Sequence, residues 1–210
     1  MAITAEQVKA LRDKTGAGMM ECKTALTEAK GDIEEAITVL RKRGLAKAAT
    51  RSGRATKQGA VGTYVHMPVA DAAGPFGFAK LGVLVEVNCE SDFVAKTDDF
   101  KTLVKELAMQ VAAADPTFVT REQVPAAEVE KEKEIFRAQL AESGKPANVI
   151  EKIIEGKLGS FYERVCLMDQ LSVRDGSLKV SQMIAAAVAK TGENITVARF
   201  ARFKLGDVAE

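Results

Sequence analysis

The sequence has no tryptophan, 5% aromatic residues overall, one histidine and three cysteines. Each shortage removes a class of function. With His66 alone, neither a two-histidine metal site nor a HExxH metalloprotease helix can be built. A histidine-based triad would have to use His66, which falls in a run with strand character; an ordinary surface or core histidine is the simpler account. Cys22, Cys89 and Cys166 are widely spaced and odd in number, which argues against a disulfide framework or a zinc site and points to a reducing, cytoplasmic setting. No apolar run approaches the ~20 residues that span a bilayer. Met1-Ala2-Ile3-Thr4 does not open a signal peptide, since no basic stretch leads into an apolar one. No excess of either charge exists: 30 Lys and Arg stand against 29 Asp and Glu, unlike a protein that coats nucleic acid. Gly77 and Gly82 have P-loop spacing, but Val83-Leu84 follow where Lys and Ser or Thr are required, so no nucleotide cradle is expected.

What is present is enough for a packed core. Hydrophobic residues make up 47% of 210, which suits one domain of ordinary size and a small second one. With few aromatics, that core must rest on Val, Leu, Ile, Ala and Met. The predicted class is α+β: an N-terminal three-helix bundle, then an antiparallel sheet covered by helices with a helical hairpin. The expected division is 1–44 as the bundle, 45–58 as a basic linker and 59–210 as the α+β core.

Local signals carry this division. Thr4 and Gln7 have the spacing of a capping box, and Ile3 and Val8 that of a hydrophobic staple. Gly16 and Gly18 mark the end of the first helix, and Gly31 the end of a second that carries Cys22, Ala25, Leu26 and Ala29 on one stripe. Asp32 should cap a third helix, with Ile33, Ala36, Ile37 and Leu40 on its apolar face and Gly44 as its stop. No acid occurs between Glu35 and Asp71, while Arg41, Lys42, Arg43, Lys47, Arg51, Arg54 and Lys57 do, as in a solvated basic linker. Strands follow through Val61, Thr63 and Val65 and through Leu81 to Cys89, joined by a loop containing Gly74-Pro75. Phe100, Leu103, Val104, Leu107 and Val111 share a helix face, with Asp98 as the expected cap and Asp115-Pro116 as the stop. Residues 127–158 read as two helices broken at Ser143-Gly144-Lys145-Pro146; a helix over Ala185–Lys190 and a final strand from Ile195 close the chain.

The junction Asn88-Cys89-Glu90-Ser91-Asp92-Phe93-Val94-Ala95-Lys96, where a strand hands over to a helix, is the most informative segment. Asp92 beside Phe93 can be aimed at another protein from such a rigid place. Alternatively, Asp92 is a helix cap and Phe93 packs underneath. Met19 and Met20 after a tight turn are either adaptable contacts for a partner or core residues of the bundle. Cys89 near a helix start is either an activated thiol or a buried structural one.

Three separated motifs, in order, carry a resemblance. Thr15-Gly16-Ala17-Gly18-Met19-Met20-Glu21-Cys22-Lys23-Thr24-Ala25-Leu26 with Gly31-Asp32-Ile33-Glu34-Glu35-Ala36 resembles the first signature of the elongation factor Ts family. Val85 to Lys96 resembles its second signature, and Ser143-Gly144-Lys145-Pro146 with Glu155-Gly156-Lys157-Leu158 its C-terminal helical stretch. The resemblance runs from Ile3 to about Gly206. It implies a ubiquitin-associated-like bundle that docks on the GTPase elongation factor Tu through Arg12, Met19 and Met20. It implies that Ser91, Asp92, Phe93 and Val94 enter the partner near its magnesium and phosphate site, Ser91 standing where the family often has Thr. The implied protein is a cytoplasmic exchange factor that releases GDP, not an enzyme. It needs no cofactor or metal and binds no nucleotide, nucleic acid or membrane directly. The chain matches the short type with one core module, which implies a homodimer. The competing classes are a ribosome-associated RNA binder using Arg41 to Lys57 and a thiol enzyme using Cys89.

Overall fold

A computed structural model of the chain describes residues 3–67, 79–141 and 146–207. The described residues form an α+β fold with a three-stranded antiparallel sheet. Two compact units are present: Met1–Val61 with Glu86–Val104 and Ser181–Val197, and Gly62–Val85 with Lys105–Val180 and Ala198–Glu210.

The first unit begins with helices α1 (Ala5–Thr15), α2 (Met19–Glu28) and α3 (Ile33–Arg51). The predicted capping box is formed. Thr4 Oγ1 accepts the Gln7 N–H at 3.2 Å, and Gln7 Oε1 accepts the Thr4 N–H at 3.0 Å. Gly16, at φ 67°, ends α1 in the left-handed conformation that glycine adopts without penalty, and its N–H donates to the Arg12 carbonyl. Asp32 caps α3 by accepting the Glu35 N–H at 2.8 Å. Val8, Leu11, Cys22, Ala25, Leu26, Ala29 and Ala36 form the bundle core, with Ile3 packed at its edge. Small residues dominate that core, so the helices approach closely.

Gly44 does not stop α3, which continues to Arg51 through the first half of the expected linker. The glycine is buried. A Cβ placed there would stand 3.7 Å from the Ala189 Cβ and 3.9 Å from the Ala185 carbonyl, on helix α8 (Val180–Thr191). Close packing on α8 outweighs the ~1 kcal/mol by which glycine disfavours a helix interior. The basic residues of this stretch are partly matched: Arg43 pairs with Glu28, Lys47 with Glu21, and Arg54 with Glu90.

The sheet has the order β1 (Gln58–Val65), β2 (Leu81–Cys89), β3 (Ile195–Lys204). On β2, Val83, Val85, Val87 and Cys89 are buried while Leu84 between them is exposed, the alternation of a strand covered on one face. The alternating set Val61, Thr63, Val65 of β1 is the exposed one; Ala60, Gly62 and Tyr64 are half-buried. The loop with Gly74-Pro75 lies outside the described residues. Helix α4 (Asp92–Ala95) follows β2, and α5 (Asp98–Ala114) buries Phe100, Leu103, Val104, Leu107 and Val111 as the periodicity predicts. Its cap is Thr97, one residue before the expected Asp98: Thr97 Oγ1 accepts the Phe100 N–H at 3.3 Å. Asp98 and Asp99 instead sit in the first turn, where the helix dipole favours negative charge.

In the second unit, α6 (Ala126–Leu140) and α7 (Ala147–Val165) pair as the predicted hairpin. Ile154, Leu158 and Phe161 pack with Val129, Phe136 and Leu140. Pro146 stands at the start of α7, and the rest of the predicted break, Ser143-Gly144-Lys145, lies outside the described residues.

Gly59, at φ 150°, meets β2 so closely that a Cβ would fall 2.2 Å from the Val87 carbonyl oxygen. Gly53 has nothing within 4 Å of its Cβ position. Gly59→Ala should therefore destabilise the chain by about 2 kcal/mol or more, and Gly53→Ala should stay within about 0.5 kcal/mol of the parent, in urea unfolding. Equal midpoints for the two variants would refute this close approach.

Candidate partner-binding site

The site is built where β2 ends. Cys89 is fully buried, and its thiol donates to the Ser91 carbonyl at 3.1 Å. Ser91 has extended backbone and begins the four-residue helix α4, its Oγ accepting the Val94 N–H at 3.4 Å. The Glu193 carboxylate grips the same serine twice. Its Oε2 accepts the Ser91 N–H at 2.9 Å, and its Oε1 accepts the Ser91 O–H at 2.5 Å. Val94 points inward and is 8% exposed. One residue earlier, about 100° around the helix, Phe93 is 82% exposed.

This geometry is not that of a capping Asp92 over a packed Phe93. Ser91, not Asp92, is the cap, and Phe93 does not pack underneath. Asp92 lies on the surface, where its Oδ2 accepts from Lys96 Nζ at 2.6 Å. That bond, with the nearby ammonium charge, holds the Asp92 carboxyl below its ordinary range, so it is ionised at neutral pH. Of the four residues expected to face a partner, Asp92 and Phe93 are presented, whereas Val94 anchors and Ser91 is held from behind.

A second set of bonds fixes the turn before β3 to the same junction. Glu90 Oε1 accepts the Asn194 N–H at 2.6 Å and faces Arg54 at 3.4 Å. The buried Asn194 amide donates to the carbonyls of Ser52 and Arg54, at 3.3 and 2.8 Å. Sequence reasoning did not single out Glu193 or Asn194. Their only local signal is a polar pair just after Gly192, the residue that stops α8.

The second exposed group lies on the bundle. Met19 and Met20, the first residues of α2, are 51% and 70% exposed, so they are not core. Arg12 is exposed on α1, with no ion-pair partner for its side chain among the described residues. Lys190 lies beside the turn before the methionines: its Nζ stands 3.2 Å from where a Cβ on Gly16 would be, and it donates to Asp99 at 2.6 Å.

Comparison with known proteins gives a consistent result. A family model described as Elongation factor TS matches residues 1–207. The chain is 56% identical to the elongation factor Ts of Koribacter versatilis over 210 residues, covering all of this chain and 91% of that protein. It is 56% identical to that of Fervidobacterium nodosum over 207 residues, covering 99% of this chain and all of that protein. Against that of Geobacter sulfurreducens the identity is 53% over 210 residues, covering all of this chain and 93% of that protein.

The same geometry speaks to Cys89 as a nucleophile. Burial, and then the nearby Glu193 charge, raise its thiol above the ordinary value, opposite to the lowered value of a reactive cysteine. His66 Nδ1 lies 3.1 Å from the Tyr64 hydroxyl. In the native chain at pH 7–8, iodoacetamide should modify Cys89 far more slowly than free cysteine, with the rate rising only at alkaline pH. Rapid labelling at pH 7 would contradict a buried, protonated thiol.

Proposed function

The chain belongs to the elongation factor Ts family, a family of translation elongation factors, and we propose that it is the guanine nucleotide exchange factor for elongation factor Tu. It binds the GDP-loaded GTPase and promotes GDP release by disturbing the magnesium and phosphate site, so that GTP can enter. The observation that carries this reading is Phe93, a large apolar side chain held out in water on a braced turn of helix, with Asp92 beside it.

A GTPase holds GDP through backbone amides, a lysine and Mg²⁺. Mg²⁺ requires near-octahedral geometry, so a small displacement of its ligands or waters weakens it strongly. An exchange factor need not touch the nucleotide. It must bind the empty GTPase better than the loaded one, and by linkage the factor and GDP then weaken each other equally. Phe93 is the wedge that parts side chains in the partner. Burying it there is worth about 1.5–3 kcal/mol, which is available because the free chain leaves it in water. Asp92, ionised and tethered to Lys96, is the polar member of the pair. Residues 1–44 dock on the GTPase, with Met19 and Met20 supplying adaptable area and Arg12 an exposed charge. No covalent bond is made or broken, so the protein is not an enzyme and needs neither cofactor nor metal of its own. It works in the cytoplasm.

Against RNA binding through the basic stretch, Arg43, Lys47 and Arg54 already face carboxylates. The stretch also lacks aromatics on which bases could stack.

Release of a fluorescent GDP analogue from elongation factor Tu tests the reading. The chain at micromolar concentration should accelerate release, and Phe93→Ala should lower the limiting rate by about tenfold or more. Met20→Ala should instead raise the half-saturating concentration, by about tenfold or less. No acceleration by the parent chain would refute the proposal. Full acceleration by Phe93→Ala would refute the wedge.

The core, residues 59–210, also makes a homodimer on this proposal. Val65, Leu84 and Phe203 are large apolar side chains left exposed on strands, as an interface between copies needs. Sedimentation velocity should give a dimer at micromolar concentration, and Leu84→Lys should shift it toward monomer. A parent chain that sediments as a monomer would remove the dimer from the proposal.

A further inference from the structure

The first turn of α4 lacks the residue that normally completes such a turn. In a capping box, the N-cap hydroxyl accepts the third residue's N–H, and a Glu or Gln at that third position accepts the N-cap N–H in return. Ser91 does the first part, but the third position is Val94, which is buried. An acceptor there would forfeit the apolar anchor that turns Phe93 outward. Glu193 supplies the missing acceptor from 102 residues away in sequence, taking the Ser91 N–H at 2.9 Å and the Ser91 O–H at 2.5 Å. No Lys or Arg pairs with Glu193 among the described residues, so both carboxylate oxygens are engaged with one serine. Hydrogen bonds to an ionised acceptor are about twice as strong as neutral ones.

We infer that Glu193 is the positioning residue for Asp92 and Phe93: it aims the pair without touching the partner. The inference rests on the exchange-factor function proposed above. Glu193 brackets the Ser91 end of α4, while Val94 brackets the other side of Phe93. Without the carboxylate, the Ser91 N–H loses its acceptor and the Ser91 hydroxyl keeps only the long bond it accepts from the Val94 N–H at 3.4 Å, and the turn is free to fray. A frayed turn still docks through the bundle but delivers the wedge in many directions. The effect is therefore on the rate of release in the bound complex, not on binding.

The test uses the full chain and separates these quantities. Glu193→Ala should lower the limiting rate of GDP release about tenfold while moving the half-saturating concentration about twofold or less. Glu193→Gln should retain most of the rate, because its amide oxygen can accept the Ser91 N–H while its NH₂ donates to the Ser91 hydroxyl. Glu193→Asp keeps the charge but withdraws it by one methylene, and should fall with Glu193→Ala; it takes the place of that variant if circular dichroism finds Glu193→Ala unfolded. Combining Glu193→Ala with Ser91→Ala should lower the limiting rate by less than the product of the single effects, since both act through one contact. Hydrogen exchange of amides 91–94 in the free chain should quicken in Glu193→Ala and leave α5 unchanged.

A parent-like limiting rate in Glu193→Asp, or parent-like protection of amides 91–94 in a folded Glu193→Ala, overturns the inference. Failure of the parent chain to release GDP would sink the proposed function instead, and the exchange of amides 91–94 would still report on the clamp.

Discussion

The two hydrogen bonds from Ser91 to the Glu193 carboxylate set the constraint on which the site depends. Four residues of helix cannot hold themselves, since one turn forms too few bonds to offset its ordering. Here the turn is held at three points outside its own hydrogen bonds: Cys89 buried before it, Ser91 gripped by Glu193, and Val94 buried within it. With those directions fixed, the helical angle leaves Phe93 nowhere to point but outward. Exposure of Phe93 is thus a consequence of burying Val94 and holding Ser91.

Buried side-chain amides do similar work elsewhere in the chain. Asn194 closes the end of α3 onto the turn before β3 through two carbonyls. In the second unit, Gln110 is buried on α5 and holds an irregular stretch by donating to the Leu171 carbonyl and accepting the Val173 N–H, at 3.1 and 2.8 Å. Gln170, also buried, donates to the carbonyls of Ala114 and Arg164. Irregular backbone cannot satisfy its own polar groups as helices and strands do, and an unpaired buried group is destabilising by about 1–3 kcal/mol. An amide with a donor and an acceptor on one rigid plane answers two such groups at once. These residues look unremarkable in sequence because their role depends entirely on what folds around them.

That dependence explains which features were legible. Capping at Thr4 and Asp32, the stripe of α2 and the face of α5 are local patterns, and the chain forms them as written. Gly44 misled because a glycine signals a helix stop only when nothing packs on it; α8 does. Asp98 and Thr97 are both competent caps, and only the actual entry angle of the chain chooses between them. Family resemblance pointed to Asp92 and Phe93, but whether Phe93 lay in or out was not written in the segment. The structure sets it with the burial of Val94 and the contact of Ser91 with Glu193, 102 positions away in sequence. Met19 and Met20 posed the same question, and the bundle answered it by filling its core with smaller residues.

The ion pair at Asp92 bears on how such a wedge could approach a phosphate site. A lone carboxylate brought within 4 Å of another negative charge meets a repulsion of about 4 kcal/mol at the effective dielectric of a protein surface. Asp92 does not travel alone: the Lys96 ammonium lies 2.6 Å from it, one helical turn away. On the proposed function, the pair approaches as a dipole whose net charge is near zero, and the repulsion is largely offset. In the free chain the bond to Lys96, with its ammonium charge, lowers the Asp92 pKa and so favours the ionised carboxylate. On that proposal, Lys96 lets a carboxylate act beside phosphate while Phe93 supplies the force of entry. On the same proposal Asp92 and Phe93 divide the work, Asp92 as the polar member that fixes the pair and Phe93 as the one that opens the site by volume.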